Sequence, residues 1–150
     1  MSENNKLAYL AGAMEFTTDR GAIWRRRYSE ALEECGITSI SPLDGEDKIK
    51  KGHKMRELKK TDIDQYIDIM RQIIDRDLTI VRKVDMLVVS WEGEVSTGTC
   101  HEVGYAYQLG KPCYLVTSMS DEDVPGWFLA CFTERFSTLE KLVDFLGSKQ

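Results

Sequence analysis

One seven-residue run, residues 84–90, constrains the fold of this chain more than any other sequence feature. The run is apolar almost throughout and rich in β-branched residues, which is typical of a strand inside a parallel sheet with both faces covered. Parallel strands need long crossover connections, and these are usually helices. The run therefore predicts an α/β fold, provided that helices alternate with further strands along the chain.

Strands and helices do alternate. An apolar run at residues 7–11 predicts the first strand, and apolar residues at helical spacing from Trp24 to Cys35 predict the helix that follows. The other predicted elements are a strand at 37–41, a helix capped by Thr61 and running to 82, a helix at 99–109, a strand at 113–117, a helix at 124–135 and a last helix opening at 137. This order predicts a single-domain α/β fold with an open, mostly parallel sheet.

The long predicted helix, residues 61–82, carries an anomaly on its apolar stripe. Asp77 lies on that stripe, four residues before Val81. An ionised carboxylate on a buried face must be paired or hydrogen-bonded. Asp77 is therefore a first candidate functional residue. The apolar members of the stripe are Ile63, Ile67, Met70, Ile74, Leu78 and Val81.

Composition limits the partners of the chain. It has 150 residues and a net charge of −5, from Lys+Arg 20 against Asp+Glu 25. An acidic surface argues against binding long nucleic acid but allows a small phosphorylated ligand. We expect no membrane partner, because no apolar run could span a bilayer and the start shows no secretory signal. Four scattered cysteines without a Cys-x-x-Cys pair predict reduced thiols and a cytoplasmic location.

Residues 45–60 form a charged insert with both signs interspersed. Such a run predicts a solvated loop or an exposed helix. A mobile basic flap over an anionic ligand is the functional alternative.

The densest candidate site lies in residues 96–107. Gly98 has no side chain, so a ligand could approach the backbone there, and Glu102 lies in the first turn of the helix predicted to begin at Thr99. The helix dipole favours an ionised carboxylate at that position, and such a carboxylate can attack a sugar carbon. Thr99 and Glu102 are also spaced as a capping box, in which Glu102 would only satisfy the helix start. A second carboxylate, Asp77, favours glycosidic-bond chemistry, which uses two.

Other chemistries lack their residues. The chain has neither a G-x-G-x-x-G nor a G-x-x-x-x-G-K-[ST] motif, so dinucleotide redox chemistry and Walker-type phosphate transfer are not expected. Two histidines, His53 and His101, are too few for a metal triad or a Ser-His-Asp site, and we predict no metal and no cofactor. Tyr9, in the middle of a strand, is typical of a core residue whose hydroxyl needs a partner.

Several motifs in order resemble the nucleoside 2-deoxyribosyltransferase family. They are Tyr9-Leu-Ala-Gly-Ala13, Arg76-Asp-Leu78, Val84-Asp-Met-Leu-Val88, Gly98-Thr-x-x-Glu102-x-Gly-x-Ala106 and Gly110-Lys-Pro112. The resemblance implies a five-stranded Rossmann-like fold with helices on both faces, no metal, and homo-oligomers (dimer or higher) with sites near subunit contacts. By position, it implies that Glu102 is the nucleophile, that Asp77 handles the leaving base and that Tyr9 orients the nucleophile. The residues that would line the sugar or phosphate end are Gly12, Ser96, Gly98 and Thr99.

This chain departs from the family pattern at several positions. Ser96 stands where the transferases have an Asp that holds the sugar, and a Ser there resembles the nucleotide N-hydrolase branch, where it helps hold a 5′-phosphate. That branch also uses a Ser and an Arg where this chain has Ala13 and Glu15. Phosphate binding would then need the charged insert or Thr17, Thr18 or Arg20. The chain also ends in Gly-Ser-Lys-Gln150 rather than in the aromatic tail of the transferases.

The prediction is an enzyme that cleaves the N-glycosidic bond of a 2′-deoxynucleoside or its 5′-monophosphate. Transfer to another base and hydrolysis by water both stay open. One alternative is a ribonucleotide phosphoribohydrolase, whose motif also contains Gly-Thr-x-x-Glu but whose Pro-Gly-Gly lead-in this chain lacks. A non-catalytic nucleotide-binding or sensor module is the other.

Overall fold

Five parallel strands form the centre of the fold. They are β1 (Lys6–Ala11), β2 (Ile37–Ile40), β3 (Met86–Ser90), β4 (Cys113–Val116) and β5 (Glu134–Phe136), in the sheet order β2-β1-β3-β4-β5. Every pairing between neighbours is parallel. The structure is a computed structural model that describes residues 5–14, 19–94 and 96–148. It confirms the predicted α/β fold with an open sheet of five strands.

Helices cover both faces of this sheet. Those in the described part of the chain are α1 (Ala22–Glu33), α2 (Glu46–Lys50), α3 (Met55–Thr61), α4 (Ile63–Lys83), α5 (Thr97–Gln108), α6 (Gly126–Leu129) and α7 (Leu139–Ser148). Successive strand side chains point to opposite faces. Ala8 and Leu10 therefore pack with α1 and α7, whereas Tyr9 and Ala11 pack with α4, α5 and α6. None of these helices is both long enough and apolar enough to cross a membrane.

The helix predicted for residues 124–135 is wrong. The structure has only the short helix α6 there, and β5 follows it and pairs with β4 at the edge of the sheet. β5 has three residues, two of them exposed. Edge strands are often this short, and three residues give no readable alternation of apolar and polar positions.

The buried side of α4 is rotated from the predicted stripe. Ile69 and Ile73 are buried, because they form a small core with Leu58 of α3. Of the predicted stripe, Val81 is buried as expected. Ile63, Ile67 and Ile74 are exposed by 49%, 38% and 49%. The cap also differs. Asp62 accepts a hydrogen bond from the Gln65 amide, whereas Thr61 ends α3 and donates to the Glu57 carbonyl.

The charged insert, residues 45–60, consists of α2 and α3 and is mostly exposed. It is more closely tied to the fold than a solvated segment would be, because Leu58 and Glu46 are buried in it. Glu46 forms ion pairs with Arg20 at 2.8 Å and with Lys50 at 3.2 Å. The insert therefore contacts both α4 and the end of the loop that follows β1.

Candidate active site

The candidate site lies between β1 and β3, where the order in which strands are added to the sheet changes from one side of β1 to the other. β1 has β2 on one side and β3 on the other, so the connections leaving β1 and β3 diverge. In open α/β sheets ligands bind at such a switch point, beyond the carboxyl ends of the strands. Tyr9 lies within β1, Gly12 follows the last residue of that strand, and α5 follows β3. The connections that leave β1 and β3 therefore start at the same edge of the sheet.

Tyr9 and Glu102 meet at this edge. Tyr9 is fully buried on the face covered by α5, and its hydroxyl donates a hydrogen bond to Oε2 of Glu102. Burial and the negative charge of Glu102 raise the pKa of Tyr9, so the hydroxyl keeps its proton. Tyr9 is thus a core residue whose hydroxyl has a hydrogen-bond partner. The hydroxyl in turn fixes one carboxylate oxygen of Glu102.

Glu102 does not cap its helix. The cap of α5 is Ser96, whose Oγ lies 3.4 Å from the Thr99 amide and 2.5 Å from Thr99 Oγ1. The helix therefore begins at Thr97, and the predicted capping box of Thr99 and Glu102 is wrong. Because Ser96 already satisfies the start of the helix, the Glu102 carboxylate is left for the Tyr9 hydroxyl.

Asp77 approaches from α4. Its side chain is 15% exposed, and its Oδ1 lies 3.4 Å from Nη1 of Arg76. Burial raises the pKa of Asp77 to about 6; the cations Arg76 and Arg25 oppose this, and the Glu46 carboxylate adds to it. Asp77 is therefore a carboxyl group that can hold a proton close to neutral pH.

The two carboxyl groups and Tyr9 form one electrostatic group. Burial raises the pKa of Glu102 to about 7, the hydrogen bond from Tyr9 and the Arg25 charge oppose the rise, and the Asp77 charge adds to it. The Asp77 charge also raises the pKa of Tyr9. Between the pKa values of the two carboxyls the pair carries about one proton. Since the pKa of Glu102 is the higher of the two, that proton lies mainly on Glu102. The form with an ionised Glu102 and a protonated Asp77, which provides a nucleophile and a proton in the same place, is therefore the minor one.

The glycines predicted at the site differ in what the fold asks of them. A Cβ on Gly12 would lie 2.5 Å from Cζ2 of Trp24 and 3.0 Å from the Ser90 carbonyl, so packing excludes any side chain. A Cβ on Gly98 would meet no atom of the described residues within 4 Å. Packing among those residues therefore does not account for the glycine at 98.

Two described residues that were singled out in the sequence, His101 and Arg20, do not join this group. His101 is exposed, and Arg20 is paired with Glu46. Glu15, Thr17 and Thr18 lie outside the described residues. Within the described ranges no three side chains of His, Cys, Asp or Glu are arranged to hold a metal ion.

Arg25 is a residue of the site that the sequence analysis missed. It is 3% exposed, and its charge acts on Tyr9, Asp77 and Glu102. One signal could have revealed it. Arg25 precedes Tyr28 by three residues and Leu32 by seven, which places it on the buried stripe of α1.

The chain is similar in sequence to a known family of proteins. The sequence pattern of the family described as Nucleoside 2-deoxyribosyltransferase matches residues 8–130. No curated protein sequence matches the chain.

Three solved structures share the fold. The 2-deoxyribosyltransferase of the psychrotolerant bacterium Bacillus psychrosaccharolyticus has 18% identity and a TM-score of 0.69, over 92% of this chain and 90% of that one. The 2-deoxyribosyltransferase of Leishmania mexicana has 22% identity and a TM-score of 0.52, over 77% of this chain and 66% of that one. The CMP N-glycosidase of Clostridium botulinum has 17% identity and a TM-score of 0.55, over 97% of this chain and 100% of that one.

Proposed function

Since this chain belongs to the nucleoside 2-deoxyribosyltransferase family, which it matches over residues 8–130, we propose that it cleaves the N-glycosidic bond of a 2′-deoxynucleoside or of its 5′-monophosphate. The observation that carries the proposal is the hydrogen bond from Tyr9 to Glu102, with the half-buried carboxyl group of Asp77 close enough to act on it. We also propose that the whole chain forms one domain of this family.

Glu102 is the nucleophile. The Tyr9 hydroxyl holds Oε2, so the other oxygen can face the sugar carbon C1′. As the bond to the base breaks, C1′ becomes positively charged, and the carboxylate forms an ester bond with it. The electron pair of the broken bond leaves with the base.

Asp77 supplies the proton that the departing base needs. Its raised pKa means that it still holds a proton in part of its population near pH 6. Protonating the base as it leaves lowers the barrier, since a neutral base is a better leaving group than its anion. Asp77 then takes a proton from the incoming base or water, which attacks C1′ and releases Glu102.

The sugar or phosphate end of the substrate lies against the start of α5. We assign this end to Gly12, Ser96, Gly98 and Thr99, because they lie where the loops after β1 and β3 meet. The open space beside Gly98 supports this assignment. Ser96 in place of the Asp of the transferases supports a substrate with a 5′-phosphate, and hydrolysis is then the second candidate reaction beside base transfer.

We propose that the enzyme is a homo-oligomer. Ile63, Ile67 and Ile74 form an exposed apolar row on α4, the helix that carries Asp77. Contiguous exposed apolar residues mark contact surfaces more often than free ones. A cytoplasmic location stays a prediction from the cysteine usage.

The test is incubation with a panel of nucleosides and 5′-monophosphates, each as the deoxyribose and the ribose form, with and without a second free base. Chromatography then detects released base or exchanged nucleoside. We expect release from at least one deoxy substrate, and loss of release in Glu102→Ala. His101→Ala, a change at the exposed neighbouring position, is the matched control and should retain activity. Equal base release by Glu102→Ala and the unaltered protein would contradict the assignment. Tight binding of a nucleotide that stays unchanged would favour a sensor module. Cleavage of the ribose forms alone would favour a phosphoribohydrolase.

A further inference from the structure

Arg25 joins both ends of the loop that follows β1. Its guanidinium donates hydrogen bonds to four backbone carbonyls, two at the end of β1 and two at the start of α1. The acceptors are Leu10 at 3.3 Å, Gly12 at 3.0 Å, Arg20 at 3.2 Å and Gly21 at 3.4 Å. A planar group with five donors can span such a set, whereas a lysine ammonium cannot.

The surrounding residues are shaped around this guanidinium. Arg25 lies over the ring of Trp24, 4.4 Å from its centroid. A Cβ on Gly21, which has a φ of 78°, would lie 2.3 Å from Nη1 of Arg25. A Cβ on Gly12 would strike the Trp24 ring. Two glycines of the loop thus leave room for the Trp24–Arg25 pair.

The charge of Arg25 acts on the catalytic group, although less strongly than burial does. The groups that face Glu102 are Tyr9 from β1, Asp77 from α4 and Arg25 from α1, and Arg25 is the cation among them. Arg25 itself also faces Glu46 of α2, as well as Arg20. Burial lowers the pKa of Arg25 to about 10, so it keeps its charge at neutral pH.

We propose that Arg25 is a positioning residue of this site: it ties the end of β1 to the start of α1, and its buried positive charge acts on Glu102. The catalytic consequence rests on the proposed function, whereas the effects on the loop and on the ionisation of Glu102 do not. Two variants separate the two roles. Arg25→Lys keeps the charge and loses most of the carbonyl contacts, and Arg25→Gln loses the charge.

The experiment measures base release between pH 5 and pH 9, the carboxyl ¹³C titration of Glu102, and hydrogen exchange of the backbone amides of Gly21 to Arg25. In Arg25→Gln we expect Glu102 to ionise at a higher pH than in the unaltered protein, so that kcat/KM falls by a larger factor at pH 6 than at pH 9. In Arg25→Lys we expect the pH profile to keep its position, while KM rises and the backbone amides of Gly21 to Arg25 exchange faster. Arg26→Gln removes an exposed neighbouring charge and should change none of these.

Each outcome bears on the proposal. An Arg25→Gln profile and titration that match those of Arg26→Gln would overturn the role of the charge. An Arg25→Lys protein with unaltered KM and amide exchange would overturn the role in the loop. If Arg25→Gln does not fold, the shift of Glu102 is tested in Arg25→Met, and Arg25→Lys tests the loop. If the unaltered protein releases no base from any substrate, the proposed function fails, but the titration and the amide exchange still decide the role of Arg25.

Discussion

Tyr9 and Glu102, 93 residues apart in the sequence, are joined by a hydrogen bond between the first strand and the helix after the third. The bond connects a fully buried ring to a carboxylate at the carboxyl edge of the sheet. It gives the carboxylate a fixed orientation, because the strand that carries Tyr9 has neighbours on both sides. A nucleophile gains from such a fixed orientation, since the reacting atoms must be aligned before the bond forms.

Tyr9→Phe tests this orientation directly. The variant keeps the buried ring and removes only the donor, so Glu102 can rotate and its pKa rises further. We expect kcat for base release to fall by up to about 10²-fold near neutral pH, with less effect above the pKa of Glu102. Tyr107→Phe, which alters an exposed tyrosine of α5, is the control. Unchanged kcat in Tyr9→Phe from pH 5 to pH 9 would contradict the role of the bond.

The raised pKa of Glu102 makes the free energy of unfolding depend on pH in a predictable direction. Burial raises the pKa of Glu102 from 4.5 to about 7, so between these values the folded protein binds more protons than the unfolded chain. The contribution of this group to stability is complete below pH 4.5 and is lost as the pH rises through 7. We expect Glu102→Gln to be more stable than the unaltered protein at pH 8, by roughly 1 kcal/mol or more, and to lose this advantage towards pH 5. Thermal or urea unfolding at the two pH values measures it. Glu30→Gln, at an exposed position, should show no such difference, and a Glu102→Gln protein without it would refute the burial effect.

The fold could be predicted because most of its strands are visible in the sequence as short apolar runs. The runs around β1, β3 and β4 are apolar and interrupted by helical stripes, and each is found within two residues of its predicted bounds. β5 could not be predicted in this way, because its pairing with β4 depends on backbone contacts rather than on apolar side chains. The face of α4 was misplaced for a related reason. The helix packs against the insert as well as the sheet, and the insert is mostly polar in sequence, with few apolar residues to reveal its core.

The site could be predicted only in part. The resemblance to the family points to Tyr9, Asp77 and Glu102, and the structure brings these three into one electrostatic group. Spacing alone left a capping box open as an alternative role for Glu102, because it could not show that Ser96 caps the helix instead. Arg25 was overlooked because three successive arginines are typical of an exposed surface, and only its place on the stripe of α1 distinguishes it.

Asp77→Asn tests the proton donor through the leaving group. The amide cannot protonate a departing base, so kcat should fall by roughly 10²- to 10⁴-fold for an ordinary nucleoside. The loss should be much smaller for an N7-methylated purine nucleoside, whose base is already cationic and needs no proton to leave. Asp75→Asn, on an exposed part of α4, serves as the control. An equal loss for both kinds of substrate would show that Asp77 does not act as the proton donor.

The exposed isoleucines of α4 predict that copies of this chain associate through that helix. Ile67→Asp places a charge in the middle of Ile63, Ile67 and Ile74, where burial against a second copy would become costly. We expect the unaltered protein to sediment as a dimer or larger assembly and the variant to sediment as a smaller species with an unchanged far-UV spectrum. Ile23→Asp, at a position of α1 that is 73% exposed, controls for a mere change of surface charge. A monomeric unaltered protein would exclude this role for the row.

Two glycine substitutions separate the demands of the fold from those of a ligand. In Gly12→Ala the new Cβ would lie 2.5 Å from the Trp24 ring and 3.0 Å from the Ser90 carbonyl, so we expect both stability and activity to fall, the former by roughly 1–3 kcal/mol. In Gly98→Ala the Cβ meets no described atom within 4 Å, and alanine is the better helix former by about 1 kcal/mol. Stability should therefore hold or rise, while KM rises if the substrate approaches the backbone at this point. Unfolding curves and KM measured on the same preparations distinguish the cases. Unchanged KM in a stable Gly98→Ala protein would move the substrate away from the start of α5, and with it the reason for placing the sugar or phosphate end there.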